Sequence, residues 1–227
     1  MRIINRSGSA WTLKAIVVLN IFLFCFQHAA AEESVCQLFS ASGTASEEVR
    51  QIVDEIVTTG DNKNMPFVIL DKKQAKIYSF QKDGQLLAEA PALLGIAIGD
   101  KYIPGTGQKK LSEIRIEERT TPAGRFHGRL GYDSHGEEVL WVDFDMAIAI
   151  HPVVTSNPKE HRLERLESPK PQDHRISFGC INVPRRYYIT HISPLFKGTG
   201  GIVYVLPENS PVNQLLQTSK FSESTNS

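Results

Sequence analysis

A mainly β fold is predicted, a sandwich or barrel with a few short helices. Three observations predict it. Apolar runs between residues 67 and 206 are short, and several alternate with polar residues. Glycine and proline, 28 of 227 residues, punctuate these runs without a Gly-x-y period. Helical spacing of apolar residues is confined to two stretches.

Residues 1–31 read as a secretory signal peptide. Arg2, Arg6 and Lys14 precede any acid, residues 15–26 are apolar except Asn20, and Ala29, Ala30 and Ala31 form a small-residue site. The apolar run is too short for a membrane-spanning helix, which needs about 20 residues. Cleavage after Ala31 would leave 196 of the 227 residues, with three fewer basic groups and a net charge near −3. The expected product is exported, to periplasm or cell wall, with no lasting membrane anchor.

Residues 32–65 are expected to form an N-terminal extension containing a helix over 44–58. Val49, Ile52, Val53, Ile56 and Val57 share one face, Thr44 and Glu47 have capping-box spacing, and Gly60 ends the helix. The main domain is expected over 66–207. Its strands are Phe67–Leu70, Lys76–Phe80, Leu86–Gly95, Val139–Val142, Met146–Ile150 and Gly201–Leu206. Asp83-Gly84 supplies the hairpin turn between the second and third. A helix near Pro184–Phe196 suits a proline in its first turn. Residues 208–227 read as a polar, flexible tail.

Composition excludes several classes. Twenty-five basic and 25 acidic side chains leave no basic face for nucleic acid. Three cysteines are too few for a disulfide scaffold or a zinc ribbon, and the histidines lack metal-ligand spacing. No metal and no other cofactor is implied.

Two features can carry chemistry. Cys180 follows Gly179 in Ser177-Phe-Gly-Cys-Ile-Asn182. A glycine there permits a tight turn, and amides beside a thiolate nucleophile can hold an oxyanion. The opposing reading of Cys180 is a disulfide with Cys36. His151 ends the apolar run Ile148-Ala-Ile150 before Pro152, where an imidazole can serve as general base or simply pack.

Four ordered segments resemble the L,D-transpeptidase catalytic domain, the YkuD-like fold. Phe67–Phe80 with Asp83-Gly84 is similar to its opening hairpin, and Thr120-Thr-Pro-Ala-Gly-Arg-Phe126 to its threonine-proline turn. Ala147–His151 resembles the strand ending in its catalytic histidine, and Ser177–Asn182 its nucleophile motif. Two departures stand out. Phe178 occupies the motif's usual histidine position, and His151 lies farther from Cys180 than is typical, through an insertion over 156–173. That insertion reads as a lid or a specificity rim. It brings in His161 as a less favoured base, with His174 just beyond it in reserve.

The resemblance implies peptidoglycan stem peptides as donor and acceptor. Cys180 would form a thioester, releasing D-alanine, and an amine would resolve it into a 3-3 cross-link. His151 would move the protons, amides near Gly179 would hold the oxyanion, and Ser177 would orient His151 or cap its loop. Asn182 would bind substrate or brace the loop, and Arg175 or Arg185 would meet a carboxylate. An L,D-carboxypeptidase, a non-catalytic cell-wall binding protein and a protein stapled by Cys36–Cys180 are the alternatives.

Overall fold

The computed structural model describes residues 45–212 together with 215 and 216. The expected signal peptide, Cys36 and Thr44 lie outside the described residues. Among those described, no helix is long and apolar enough to cross a membrane.

The chain enters through helix α1, Glu47–Thr59. Ser46 caps it by accepting the Val49 N–H, while Glu47 pairs with Arg50 rather than closing a capping box. Gly60, at φ 68°, ends the helix in the left-handed conformation that a Cβ disfavours. Val49, Ile52, Val53 and Ile56 are buried. Val57 lies so close to the hairpin turn that a Cβ on Gly84 would meet it at 2.7 Å. The N-terminal helix therefore packs on the β domain.

Eight strands build one nearly closed sheet. They are β1 (Phe67–Asp71), β2 (Lys76–Phe80), β3 (Leu86–Pro91), β5 (Gly124–Tyr132), β6 (Glu138–Asp143), β7 (Ile148–Pro152), β9 (Ile181–Val183) and β10 (Gly201–Val205). Two shorter strands, β4 (Leu94–Gly95) and β8 (Arg175–Ser177), pair separately. The order is β3-β2-β1-β10-β5-β6-β7-β9. Leu93, just after β3, exchanges backbone hydrogen bonds of 2.8 and 3.0 Å with Asn182 in β9, and this seam joins the two ends of the order. Val68, Leu70, Leu140, Ile150, Ile181 and Val203 belong to the buried cluster inside. A short helical segment over 185–196 adds Tyr188, Ile192 and Phe196 to it.

The expected strands are present with shifted limits. The expected Leu86–Gly95 strand is interrupted, and only Leu86–Pro91 pairs with β2. The strand ending in His151 starts at Ile148, because Met146 and Ala147 form the turn before it, with Ala147 at φ 54°. Three strands were not expected: β5, β8 and β9. β5 reads as loop because of its three glycines, yet Gly128 serves packing: a Cβ there would meet Val203 at 2.9 Å and Phe196 at 3.1 Å. β9 is only three residues long.

A buried ion pair fastens α1 to the sheet. Arg125 of β5 donates through Nε to the Asp61 carboxylate at 2.6 Å, and Tyr204 of β10 donates to the same oxygen at 2.5 Å. Both charged side chains are about nine-tenths buried. Removing one partner strands the other charge away from water. Asp61→Ala should therefore lower unfolding stability by about 3 kcal/mol, read from urea denaturation, whereas a change at exposed Asp83 should not.

Candidate active site

Strand register brings the cysteine and the histidine together. β7 runs parallel to β9 with Ile150 opposite Ile181 and His151 opposite Asn182. Side chains alternate along a strand. Ile148, Ile150, Ile181 and Val183 therefore point into the core, while Ala149, His151, Cys180 and Asn182 share the other face. That face opens into a cavity of about 530 Å³ lined by Cys180, His151, Trp141, Asp133 and Arg185, among others.

His151 is partly buried. Its Nδ1 lies 2.8 Å from the Pro152 carbonyl and its Nε2 lies 3.5 Å from Asn182 Nδ2. A carbonyl only accepts, so Nδ1 carries the proton and Nε2 presents its lone pair. Burial pushes the imidazole pKa below its ordinary value; Arg162 pushes the same way, against the Pro152 carbonyl and Asp133.

Cys180 is a free thiol, with Sγ 3.5 Å from the Ala147 carbonyl. Burial pushes its pKa up, opposed by the Ala149 backbone and the Arg162 charge. The resting pair is therefore a neutral thiol beside a neutral imidazole.

The turn before Cys180 is braced from three sides. Gly179 has φ 131°, and a Cβ there would meet the Thr120 carbonyl oxygen at 2.8 Å and Ile148 at 2.7 Å. Thr121 donates its hydroxyl to Gly179 O at 2.8 Å and accepts the Gly95 N–H at 2.9 Å. Ser177 accepts the Gly179 N–H at 3.1 Å and donates to Cys180 O at 2.6 Å. The hydroxyl expected to orient His151 is thus spent on the turn, and so is the Gly179 amide. Phe178 lies under the Arg119 guanidinium, 4.0 Å from ring centroid to carbon, a cation–π contact in place of hydrogen bonding.

Other expected residues sit elsewhere. Arg175, expected to bind substrate, is locked to Glu208 and to the Lys72 and Gly95 carbonyls, beside a different cavity. His161 is exposed near Glu164. His174 is buried against the Ala92 and Ser168 carbonyls. Neither reserve histidine lines the cavity, whereas Arg185 does. Asn182 is buried and faces His151 rather than standing free for substrate. The insertion is folded: helix α2, Arg162–Glu167, is held by Arg165 to the Glu160 and Asp173 carbonyls. Among the described residues, no group of three His, Cys, Asp or Glu side chains is placed to hold a metal.

Sequence reasoning missed Arg162, Thr121 and Trp141. Thr121 lies within the threonine-proline segment, a signal that pointed to a turn but not to this clamp. Arg162 has no local signal separating it from Arg165 in the same charged stretch.

No family model and no curated protein matches the sequence. Among solved structures, the chain is similar to L,D-transpeptidase catalytic domains. One from Xylanimonas cellulosilytica is 17% identical over 62% of this chain and 60% of that one, with a TM-score of 0.38. The catalytic domain of the E. faecium L,D-transpeptidase is 19% identical over 63% of this chain and 98% of that one, with a TM-score of 0.37. A variant of the helical cell shape determining protein Pgp2 from Campylobacter jejuni is 16% identical over 73% and 58%, with a TM-score of 0.42. The matched region spans 58%, 49% and 60% of the length of three of the solved chains it aligns with.

Two outcomes follow from this geometry. Unfolded His151 takes up its proton near the ordinary value of 6.5, and folded His151 only at lower pH. Between those values the unfolded chain binds more protons, so stability falls as pH drops below about 6.5. His151→Gln should flatten that part of the curve, seen in urea midpoints from about pH 7.5 to about pH 5. Gly179→Ala should destabilise by at least about 2 kcal/mol, because one of the two obstructing atoms is the Thr120 carbonyl oxygen, which is backbone, and the φ is unfavourable.

Proposed function

We propose that the protein is an exported, cysteine-dependent L,D-transpeptidase acting on peptidoglycan tetrapeptide stems. The observation that carries this reading is the placement of Cys180 and His151 on one sheet face, opening into one cavity. The ordered sequence motifs support the substrate class, and the secretory signal read over residues 1–31 supports export to where that substrate lies.

The chemistry follows from the neutral resting pair. As the stem's third-residue carbonyl approaches, Cys180 Sγ attacks it and its proton passes to His151 Nε2, whose lone pair gives up its long 3.5 Å contact with the Asn182 amide. The oxyanion is met by the Cys180 amide, since the Gly179 amide is taken by Ser177. The tetrahedral intermediate collapses, the D-alanine nitrogen takes the proton from His151, and a thioester remains. An acceptor amine then attacks the thioester and gives a proton to His151. The Cys180 sulfur leaves and recovers that proton, and a 3-3 cross-link is formed. Arg185, the cavity's cation, is suited to a substrate carboxylate in the role expected of Arg175.

The test is incubation of the purified protein with disaccharide-tetrapeptide, with products followed by mass spectrometry. A dimer lacking one D-alanine, absent with Cys180→Ala and reduced by about 100-fold or more with His151→Gln, is the expected result. Loss of D-alanine without a dimer would instead identify a carboxypeptidase. Binding without turnover, with Cys180 reduced, would identify a wall-binding protein.

A further inference from the structure

We propose that Arg162, supplied by the insertion, is a positioning residue of the catalytic pair: through Asn182 it fixes which nitrogen of His151 carries the proton and which is left as the base. The inference rests on the reading of Cys180 as nucleophile and His151 as its base.

The argument is one of donors and acceptors. Arg162 Nη1 lies 2.6 Å from the Asn182 side chain. A guanidinium only donates, so the atom it meets must be the amide oxygen. That forces the Asn182 nitrogen toward His151 Nε2, at 3.5 Å, and toward the Cys180 carbonyl, at 3.4 Å. The amide nitrogen only donates, so Nε2 must hold a lone pair. The proton then sits on Nδ1, which meets the Pro152 carbonyl at 2.8 Å. Arginine at one end and carbonyl at the other leave a single consistent orientation for both side chains.

The mount is built for this task. Asn182 is 1% exposed and the Arg162 side chain 13%. Glu160 holds Arg162 Nε from behind, and Arg165 holds the Glu160 backbone carbonyl. Other charged or titratable groups facing the pair are Asp133, His135, Glu137 and Glu138 from the β5–β6 hairpin and Arg185 after β9. Arg162 is the cation whose charge reaches both members of the pair. It favours thiolate at Cys180 and opposes protonation of His151, so imidazole stays available as base while the sulfur gives up its proton.

The experiment measures alkylation of Cys180 by iodoacetamide against pH, with the modified peptide identified by mass spectrometry so that other cysteines do not contribute. Wild type, Arg162→Gln, Arg162→Lys and His151→Gln are compared, each with its thermal midpoint. Arg162→Gln should react about tenfold more slowly near neutral pH, with its profile moved to higher pH, because the charge that favours the thiolate is gone. Arg162→Lys should recover part of the rate, a rescue that loss of packing alone would not show. A profile dependent on His151 but unchanged by Arg162→Gln overturns this inference and leaves the nucleophile reading standing. A wild-type thiol reacting only at alkaline pH, and indifferent to His151→Gln, overturns both. Nitrogen NMR of His151 in the wild-type protein needs no variant to fold: the Nδ1-protonated tautomer supports the assignment, and the Nε2-protonated tautomer overturns it.

Discussion

One buried ammonium organises the loops on which the site depends. Lys72, at the end of β1, is fully buried and donates to the Gly99 carbonyl at 2.6 Å, the Thr121 carbonyl at 2.9 Å and the Asp100 carboxylate at 3.0 Å. Burial lowers its pKa, while Asp100 and Glu208 act to keep it charged. All three of its protons have an acceptor. The same Thr121 whose backbone it holds uses its hydroxyl to hold Gly179. The position of Cys180 is thus referred, through one threonine, to a charge network on the far side of the loop. Glu208 and Asn209, first residues of the polar tail, join that network through their amides on Asp100.

The meeting of His151 and Cys180 is a product of register. His151 and Cys180 are distant in sequence, and their meeting needs β7 and β9 to run side by side with neither slipped by one residue. The alternation along β7 and β9 places aliphatic side chains in the core, so burial enforces that register. What the core selects is Ile148, Ile150, Ile181 and Val183; the reactive face is the consequence.

This division explains what was legible in the sequence. Elements whose own residues decide them were readable: the α1 face, the Gly60 stop, the β1–β2–β3 hairpins, and the histidine and cysteine beside Pro152 and Gly179. Elements decided by neighbours were not. β5 carries glycines that read as turn signals, but they make room for Phe196, Val203 and Trp141. β9 is too short to show a period. Ser177 and Arg175 have side chains able to serve chemistry, and only the tertiary structure shows their groups committed to Cys180 O, Gly179 N–H and Glu208. Arg162 was hidden for the opposite reason. A charged stretch in an insertion reads as solvated surface, and nothing local marks the arginine that turns inward.

The seam between Leu93 and Asn182 has a consequence for solubility. A strand at the end of a sheet order ordinarily offers unpaired N–H and C=O groups to any passing chain. β9 would be such an edge, and it directly follows Cys180. Pairing with Leu93 uses the Asn182 groups on that side. That pairing keeps β9 from acting as a template for aggregation, without charges or prolines placed along it.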